Sequence, residues 1–327
     1  MPNTTRAIRF HATGGPEVLA LEDVALAEPG PGQALVRHTA IGVNFIDTYH
    51  RSGLYPLPLP SGLGSEAAGV IEAVGPGVGE LAVGARVAYC TGPVGSYAER
   101  RVIAVERLVR LPDAISDEVA AASMLKGLTA EYLIRRTYEV RAGDTVLLHA
   151  AAGGVGLIAT QWLAHLGATV IGTVGSDAKA ELARAHGCAH TIVYTREDFA
   201  KRVRELTGGK GVAVAYDSVG RTTLARTLDC VRPRGLVVSF GNASGAPDPI
   251  DPLVLGQKGC LYLTRPSLGV YCGTRPELLA AAEALFAVLG SGAVKVRHET
   301  RFALPDAGEA HRALAARETT GSVLLTP

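Results

Sequence analysis

The chain has 327 residues, enough for two domains with a core each. Its 47 % hydrophobic and 19 % charged residues exclude a disordered chain. A net charge of +1 excludes the basic field of a general nucleic-acid or membrane-surface binder, and no apolar run reaches the roughly 18 residues that span a bilayer.

The first residues, MPNTTRAIRF, lack the apolar core of a signal peptide, so a cytoplasmic location is expected. Up to about residue 126 short β-rich runs alternate with Gly and Pro: QALVRHTAIGV, AAGVIEAVGPGV, GARVAYC and GSYAERRVI. That spacing predicts a barrel-like β domain. From Asp144 the rhythm changes. Strand-like TVLLHA, ATVIGTV, HTIVY, VAVAYDSV, GLVVSFG and CLYLTRP alternate with helical VGLIATQWLAHLG, SDAKAELARAHG, EDFAKRVRELTGG and RTTLARTLDCV. Nearly all-apolar strands in alternation with helices predict a parallel sheet covered on both faces, the α/β doubly wound fold. A last helix, RPELLAAAEALFAVLGSG, and a last strand, GSVLLTP, are expected to return to the first domain. The expected division is therefore residues 1–126 completed by 270–327, and residues 127–269 as the nucleotide-binding domain. The five cysteines contain no C-x-x-C pair, which points to inert free thiols.

The segment Ala151-Ala152-Gly153-Gly154-Val155-Gly156 follows a predicted strand and opens a helix. Gly153 lets main chain approach a pyrophosphate, Gly156 lets helix pack closely on strand, and the helix N-terminus offers N–H groups and a positive dipole end. A dinucleotide is the expected ligand. An NAD site would carry an acid about 20 residues on, at the end of the second strand. That region reads GTVGSDAK, with Gly175 and Ser176 where the acid would stand. Ser176, Lys179 and Tyr194 supply the hydroxyl and cationic donors a 2′-phosphate wants, so NADP(H) is the expected coenzyme. Asp177 is read as a helix first-turn acid that complements the dipole. His149, before the glycine turn, is read as a satisfied core histidine.

Together LGSEAAGVIEAVGPGV, ASMLKGLTAEYLI, AAGGVGLIATQW and VAYDSVGRTTLARTLDC resemble the zinc-free branch of the medium-chain dehydrogenase/reductase superfamily. Within it the chain resembles the NADPH-dependent quinone oxidoreductases related to zeta-crystallin, from about Arg6 to the C-terminus. The resemblance implies a GroES-like substrate domain, a Rossmann domain with a six-stranded parallel sheet, a cleft between them, and a homodimer. Zinc-dependent relatives carry a catalytic Cys and a Gly-His-Glu motif; here Asn44 and Gly64-Ser65-Glu66 stand at those places. Glu66 alone cannot build the tetrahedral set zinc wants, so no metal is expected. An alcohol needs a Lewis acid or base to take its proton, whereas an electrophilic acceptor needs only a reductant and hydrogen-bond donors.

Asn44, Asp47, Tyr49 and Tyr55 are the candidate catalytic residues, Asn44 also as a nicotinamide neighbour; Asp47 is read equally as a helix cap. For the coenzyme the resemblance adds Lys126, Thr129 (opening a helix after Lys-Gly-Leu), Ser218, Phe240, Gly241, Ser244, Thr264, Arg265, Pro266 and Arg317. The expected reaction is NADPH:quinone reduction. An alkenal or enone reductase, and a low-turnover or RNA-contacting coenzyme binder, are the alternatives carried forward.

Overall fold

The computed structural model describes residues 4–327. The chain opens with β1 (Thr4–Phe10), β2 (Ala20–Ala25), β3 (Gln33–Val43), α1 (Phe45–Ser52) and β4 (Ser61–Gly62). It continues through β5 (Glu66–Val74), β6 (Arg86–Tyr89), β7 (Arg100–Ala104), β8 (Val109–Arg110) and α2 (Asp117–Tyr132). The alternating stretch holds β9 (Thr145–Leu148), α3 (Gly154–His165), β10 (Thr169–Val174), α4 (Asp177–Ala185), β11 (His190–Val193) and α5 (Phe199–Leu206). There follow β12 (Val212–Asp217), α6 (Leu224–Thr227), β13 (Val231–Ser239), α7 (Pro252–Gln257), β14 (Tyr262–Thr264) and α8 (Leu268–Tyr271). Last come α9 (Arg275–Gly290), β15 (Thr300–Ala303), α10 (Ala307–Ala315) and β16 (Val323–Thr326). Two compact units result. One is the chain up to Leu128 with Cys272–Gly290 and Val296–Pro327; the other is Thr129–Tyr271 with Ser291–Lys295.

The first unit is built on β3. At 11 residues it is long enough to serve several partners: β5 and β7 pair with it antiparallel, and so does β16 from the far end of the chain. The resulting seven-stranded sheet runs β15-β16-β3-β5-β6-β8, with β7 also on β3, and a separate sheet runs β2-β1-β4. Phe10, Ile41, Ile71, Val87, Tyr89, Tyr97 and Leu325 fill the core between these strands and α10.

The second unit is the expected six-stranded parallel sheet, in the order β11-β10-β9-β12-β13-β14. The direction of winding reverses between β9 and β12, and an open sheet of this kind binds ligands past the carboxyl ends of its strands at that point. Its strands are apolar because helices cover both faces: every residue of β12 is buried.

Some expectations are corrected. Thr129 does not open a helix: α2 runs from Asp117 through Lys-Gly-Leu to Tyr132. Gly127 is a packing position in that helix, because a Cβ there would stand 2.5 Å from Leu285 Cδ1 on α9. The helix expected over RTTLARTLDCV shrinks to α6 and a following 3-10 turn over Leu228–Cys230. Its first residues belong instead to a loop that Asp217 Oδ1 gathers, accepting from Val219 N–H, Gly220 N–H and Thr223 Oγ1 at 2.8, 3.0 and 2.9 Å.

Candidate active site

In the unit with the parallel sheet, the residues of the glycine turn leave β9 and enter α3. The Gly153 N–H donates to Ala150 O at 2.9 Å, and Ala150 itself takes a left-handed φ of 54°. Gly156 is a steric requirement: a Cβ there would stand 2.2 Å from Ala150 O and 2.7 Å from Ala151 C. No side chain caps α3 and no acid lies in its first turn. By contrast Ser176 caps α4 and Asp198 caps α5, each accepting from a main-chain N–H. The Gly154-Val155-Gly156 end of α3 thus offers unscreened donors and a positive dipole end, which fits a pyrophosphate.

Past β10 and β11 the second group assembles. Tyr194 closes over Gly175, where a Cβ would stand 3.0 Å from its hydroxyl oxygen. Ser176 Oγ accepts the Lys179 N–H at 3.4 Å as a helix cap and keeps its proton to donate. Lys179 lies in the first turn of α4. A glycine floor, two hydroxyls and an ammonium fit a phosphorylated ribose. Asp177 is the first-turn acid expected, and Arg196, which the sequence reading missed, holds it.

Past β12, β13 and β14 the loops brace one another. Gly241 comes so near Ser218 that a Cβ would stand 2.5 Å from its carbonyl oxygen. Ser244 Oγ donates to Val219 O at 2.8 Å, and the Phe240 N–H donates to Asp217 O at 2.8 Å. Arg265 Nη1 donates to both Ser239 Oγ and Gly241 O at 3.1 Å; Thr264 ends β14 and Pro266 follows Arg265. His149 is the satisfied core histidine it was read as, between Thr173 Oγ1 at 2.8 Å and Thr227 Oγ1 at 3.0 Å.

In the first unit, Asn44 precedes α1 with extended main chain, and its side chain is buried. Its Nδ2 donates to Glu66 Oε2 at 2.9 Å, which leaves one amide proton for a ligand. Glu66 faces Gly42 across the β3–β5 ladder. Only a glycine fits there: a Cβ would stand 2.3 Å from Glu66 Oε2 and from Ala121 O. The buried carboxylate also takes the Lys126 ammonium at 3.3 Å and the Leu125 N–H at 2.6 Å. Zinc does not fit this set, because an ammonium is already the counter-ion and an amide occupies the place of a soft ligand. Among the described residues no three His, Cys, Asp or Glu side chains gather to hold a metal ion.

Asp47 is buried and joins a chain of hydrogen bonds whose direction is determined. Arg51 Nη1 can only donate, so His311 Nδ1 accepts, at 3.2 Å. His311 Nε2 then carries the proton and donates to the Tyr97 hydroxyl at 3.1 Å, which donates to Asp47 Oδ2 at 2.9 Å. The Asn44 N–H reaches the same oxygen at 2.8 Å, and with the Asp47 N–H returned to the Asn44 side chain it completes a capping box. Asp47 Oδ1 is buried without a hydrogen-bond partner. Burial, only partly offset by the Asn44 N–H, the Tyr97 hydroxyl and the Lys126 charge, lifts the Asp47 carboxyl to about 7. Burial and the Arg51 charge push His311 down to about 3.

Tyr49 and Tyr55 meet edge to face at 5.2 Å between ring centroids, and the Tyr55 N–H donates to Tyr49 O at 3.1 Å. Arg317 follows α10 with a left-handed φ of 59°. Sequence reasoning missed Tyr97, His311 and Arg51, which lie far apart in the chain from the groups they bond, and Asp217, whose side-chain partners are all within ten positions.

The comparisons with known proteins agree with one another. Residues 154–286 match the family model "Zinc-binding dehydrogenase", and residues 30–113 match "Alcohol dehydrogenase GroES-like domain". A quinone oxidoreductase of Pseudomonas aeruginosa is 58 % identical over 323 residues, covering 98 % of this chain and 99 % of the relative. A 2-haloacrylate reductase of a Burkholderia species is 49 % identical over 326 residues, covering 97 % of this chain and 98 % of the relative. The crystal structure of Escherichia coli quinone oxidoreductase complexed with NADPH superposes with a TM-score of 0.97 at 51 % identity, covering 98 % of this chain and all of that one.

Proposed function

The chain belongs to the quinone oxidoreductase family of the medium-chain dehydrogenase/reductase superfamily, and from that premise we propose that it reduces quinones with NADPH. One observation carries the choice of chemistry. The Glu66 carboxylate is saturated by an amide, an ammonium and a main-chain N–H, so it is no base for stripping a hydroxyl proton. That arrangement suits an electrophilic acceptor, which is reduced without such a step.

Bound NADPH supplies the reducing equivalents. The work of the chain is to hold, orient and protonate. Gly153, Gly154, Val155 and Gly156 give main-chain donors and close approach to the pyrophosphate. Ser176, Lys179 and Tyr194 hold the 2′-phosphate over Gly175. Ser218, Phe240, Gly241, Ser244, Thr264, Arg265 and Pro266, on the loops past the strand ends, are assigned to the rest of the coenzyme with Thr129 and Arg317. Asn44 is assigned to its nicotinamide end. Lys126 acts through Glu66, which fixes the Asn44 amide. Tyr49 and Tyr55 donate hydrogen bonds to the acceptor oxygen as negative charge develops on it. Asp47, poised near neutrality, is the proton store beside them.

A homodimer in the cytoplasm belongs to the same proposal; sedimentation mass and cell fractionation test it. No helix among the described residues is long and apolar enough to cross a membrane. The similarity to a 2-haloacrylate reductase favours an activated alkene as the second reading. Turnover of a benzoquinone and of a 2-alkenal, measured side by side with NADPH, decides between them: faster quinone reduction is expected, and a strong alkenal preference overturns it. Lys179→Ala should weaken NADPH about tenfold or more while leaving NADH nearly unchanged. Equal losses would remove the phosphate assignment.

A further inference from the structure

Two short segments lie side by side past the ends of β10 and β11. Residues 175–179 lead into α4, and residues 194–196 follow β11. Thr195 Oγ1 donates to Gly175 O at 3.3 Å. Arg196 reaches across in a fork, Nη1 to Asp177 Oδ2 at 2.6 Å and Nη2 to Asp177 Oδ1 at 2.5 Å. Asp177 is the one acid in either segment. The two-point bond with Arg196 and its charge hold the Asp177 carboxyl below the usual range, so it is ionised at neutral pH.

An acid at this end of a second parallel strand works in two ways. It accepts from ribose hydroxyls, which favours NADH, and it repels a 2′-phosphate that carries close to two negative charges. A guanidinium bonded to both carboxylate oxygens cancels the charge and occupies the acceptor lone pairs together.

We propose that the Asp177–Arg196 pair sets the coenzyme preference: Arg196 masks the Asp177 carboxylate beside the adenosine ribose, so that a 2′-phosphate is accepted there. The proposal rests on the reading that this ribose lies over Gly175, and it adds a specificity residue that contacts Asp177 rather than the coenzyme. Both side chains are more than half exposed, so the variants fold, and solvent screening limits the effect to roughly tenfold in affinity, less at high salt.

Dissociation constants for NADPH and NADH, measured by fluorescence titration at low and high salt, test it with Arg196→Ala, Asp177→Asn and the double variant. Arg196→Ala should weaken NADPH about tenfold at low salt while NADH binds as well as before or better. Adding Asp177→Asn to it should restore NADPH binding, because nothing is left to mask. A double variant as weak for NADPH as Arg196→Ala would mean that Arg196 grips the phosphate directly, and would overturn the masking role. So would equal losses for both coenzymes. A wild-type preference for NADPH that survives Arg196→Ala unchanged overturns this proposal alone. Equal wild-type affinity for the two coenzymes, unaltered by Lys179→Ala, overturns the ribose reading and this proposal with it.

Discussion

Replacing Asp47 by Asn should remove a pH dependence of stability that the wild-type chain carries. In the folded protein the carboxyl titrates near 7, against an ordinary 3.8 in the unfolded chain. Between those values the folded state keeps a proton that the unfolded state has lost. The stability from that proton is complete below the unfolded value and drains away as pH rises through 7. Each unit is worth about 1.4 kcal/mol, so between about pH 5 and about pH 8 the wild type should lose roughly 2–3 kcal/mol relative to the variant. Asn keeps an acceptor for the Asn44 N–H and titrates nowhere in the range. Groups common to both proteins, such as His38 and His311, cancel in the difference. Urea unfolding followed by far-UV circular dichroism at a series of pH values measures it. The lone tryptophan, Trp162, lies in the other unit, so its fluorescence separates that unit's transition. Parallel wild-type and variant profiles across the range would refute the reasoning, and with it the assignment of a neutral-pH proton to Asp47.

Two substitutions probe the other supports. Gly156→Ala puts a methyl 2.2 Å from Ala150 O, where main chain cannot yield, so a loss of roughly 2 kcal/mol and of most NADPH affinity is expected in a melt and a titration. Lys126→Met leaves the fully buried Glu66 without its counter-ion, which should cost about 3 kcal/mol or more by calorimetry. Adding Glu66→Gln should recover most of that; failure to recover would show that the ammonium's packing, not its charge, is what matters.

What was legible in the sequence follows from distance along the chain. The glycine turn is local, so strand, bend and helix could be read in one stretch, and Gly156 is required for the packing reason that spacing suggested. That Gly175 and Ser176, rather than an acid, directly follow the second strand was readable for the same reason. Lys126 was ambiguous because a helical lysine looks the same whether it is solvated or, as here, buried against a carboxylate 60 positions away. The Arg51–His311–Tyr97–Asp47 chain was invisible because its members are up to 260 positions apart and meet only once α10 packs in the first unit's core. Arg196 was missed likewise, since only the parallel β10–β11 pairing brings it to Asp177. Thr129 was misplaced because a mid-helix glycine reads as a break unless the leucine that fills its space is known.

The most direct measurement is steady-state NADPH oxidation by a benzoquinone, using protein stripped of metal by a strong chelator and checked by elemental analysis. Undiminished turnover with NADPH, well above that with NADH, is the result this account predicts. Turnover that vanishes on stripping and returns with zinc, or a quinone rate no greater than without protein, would contradict it.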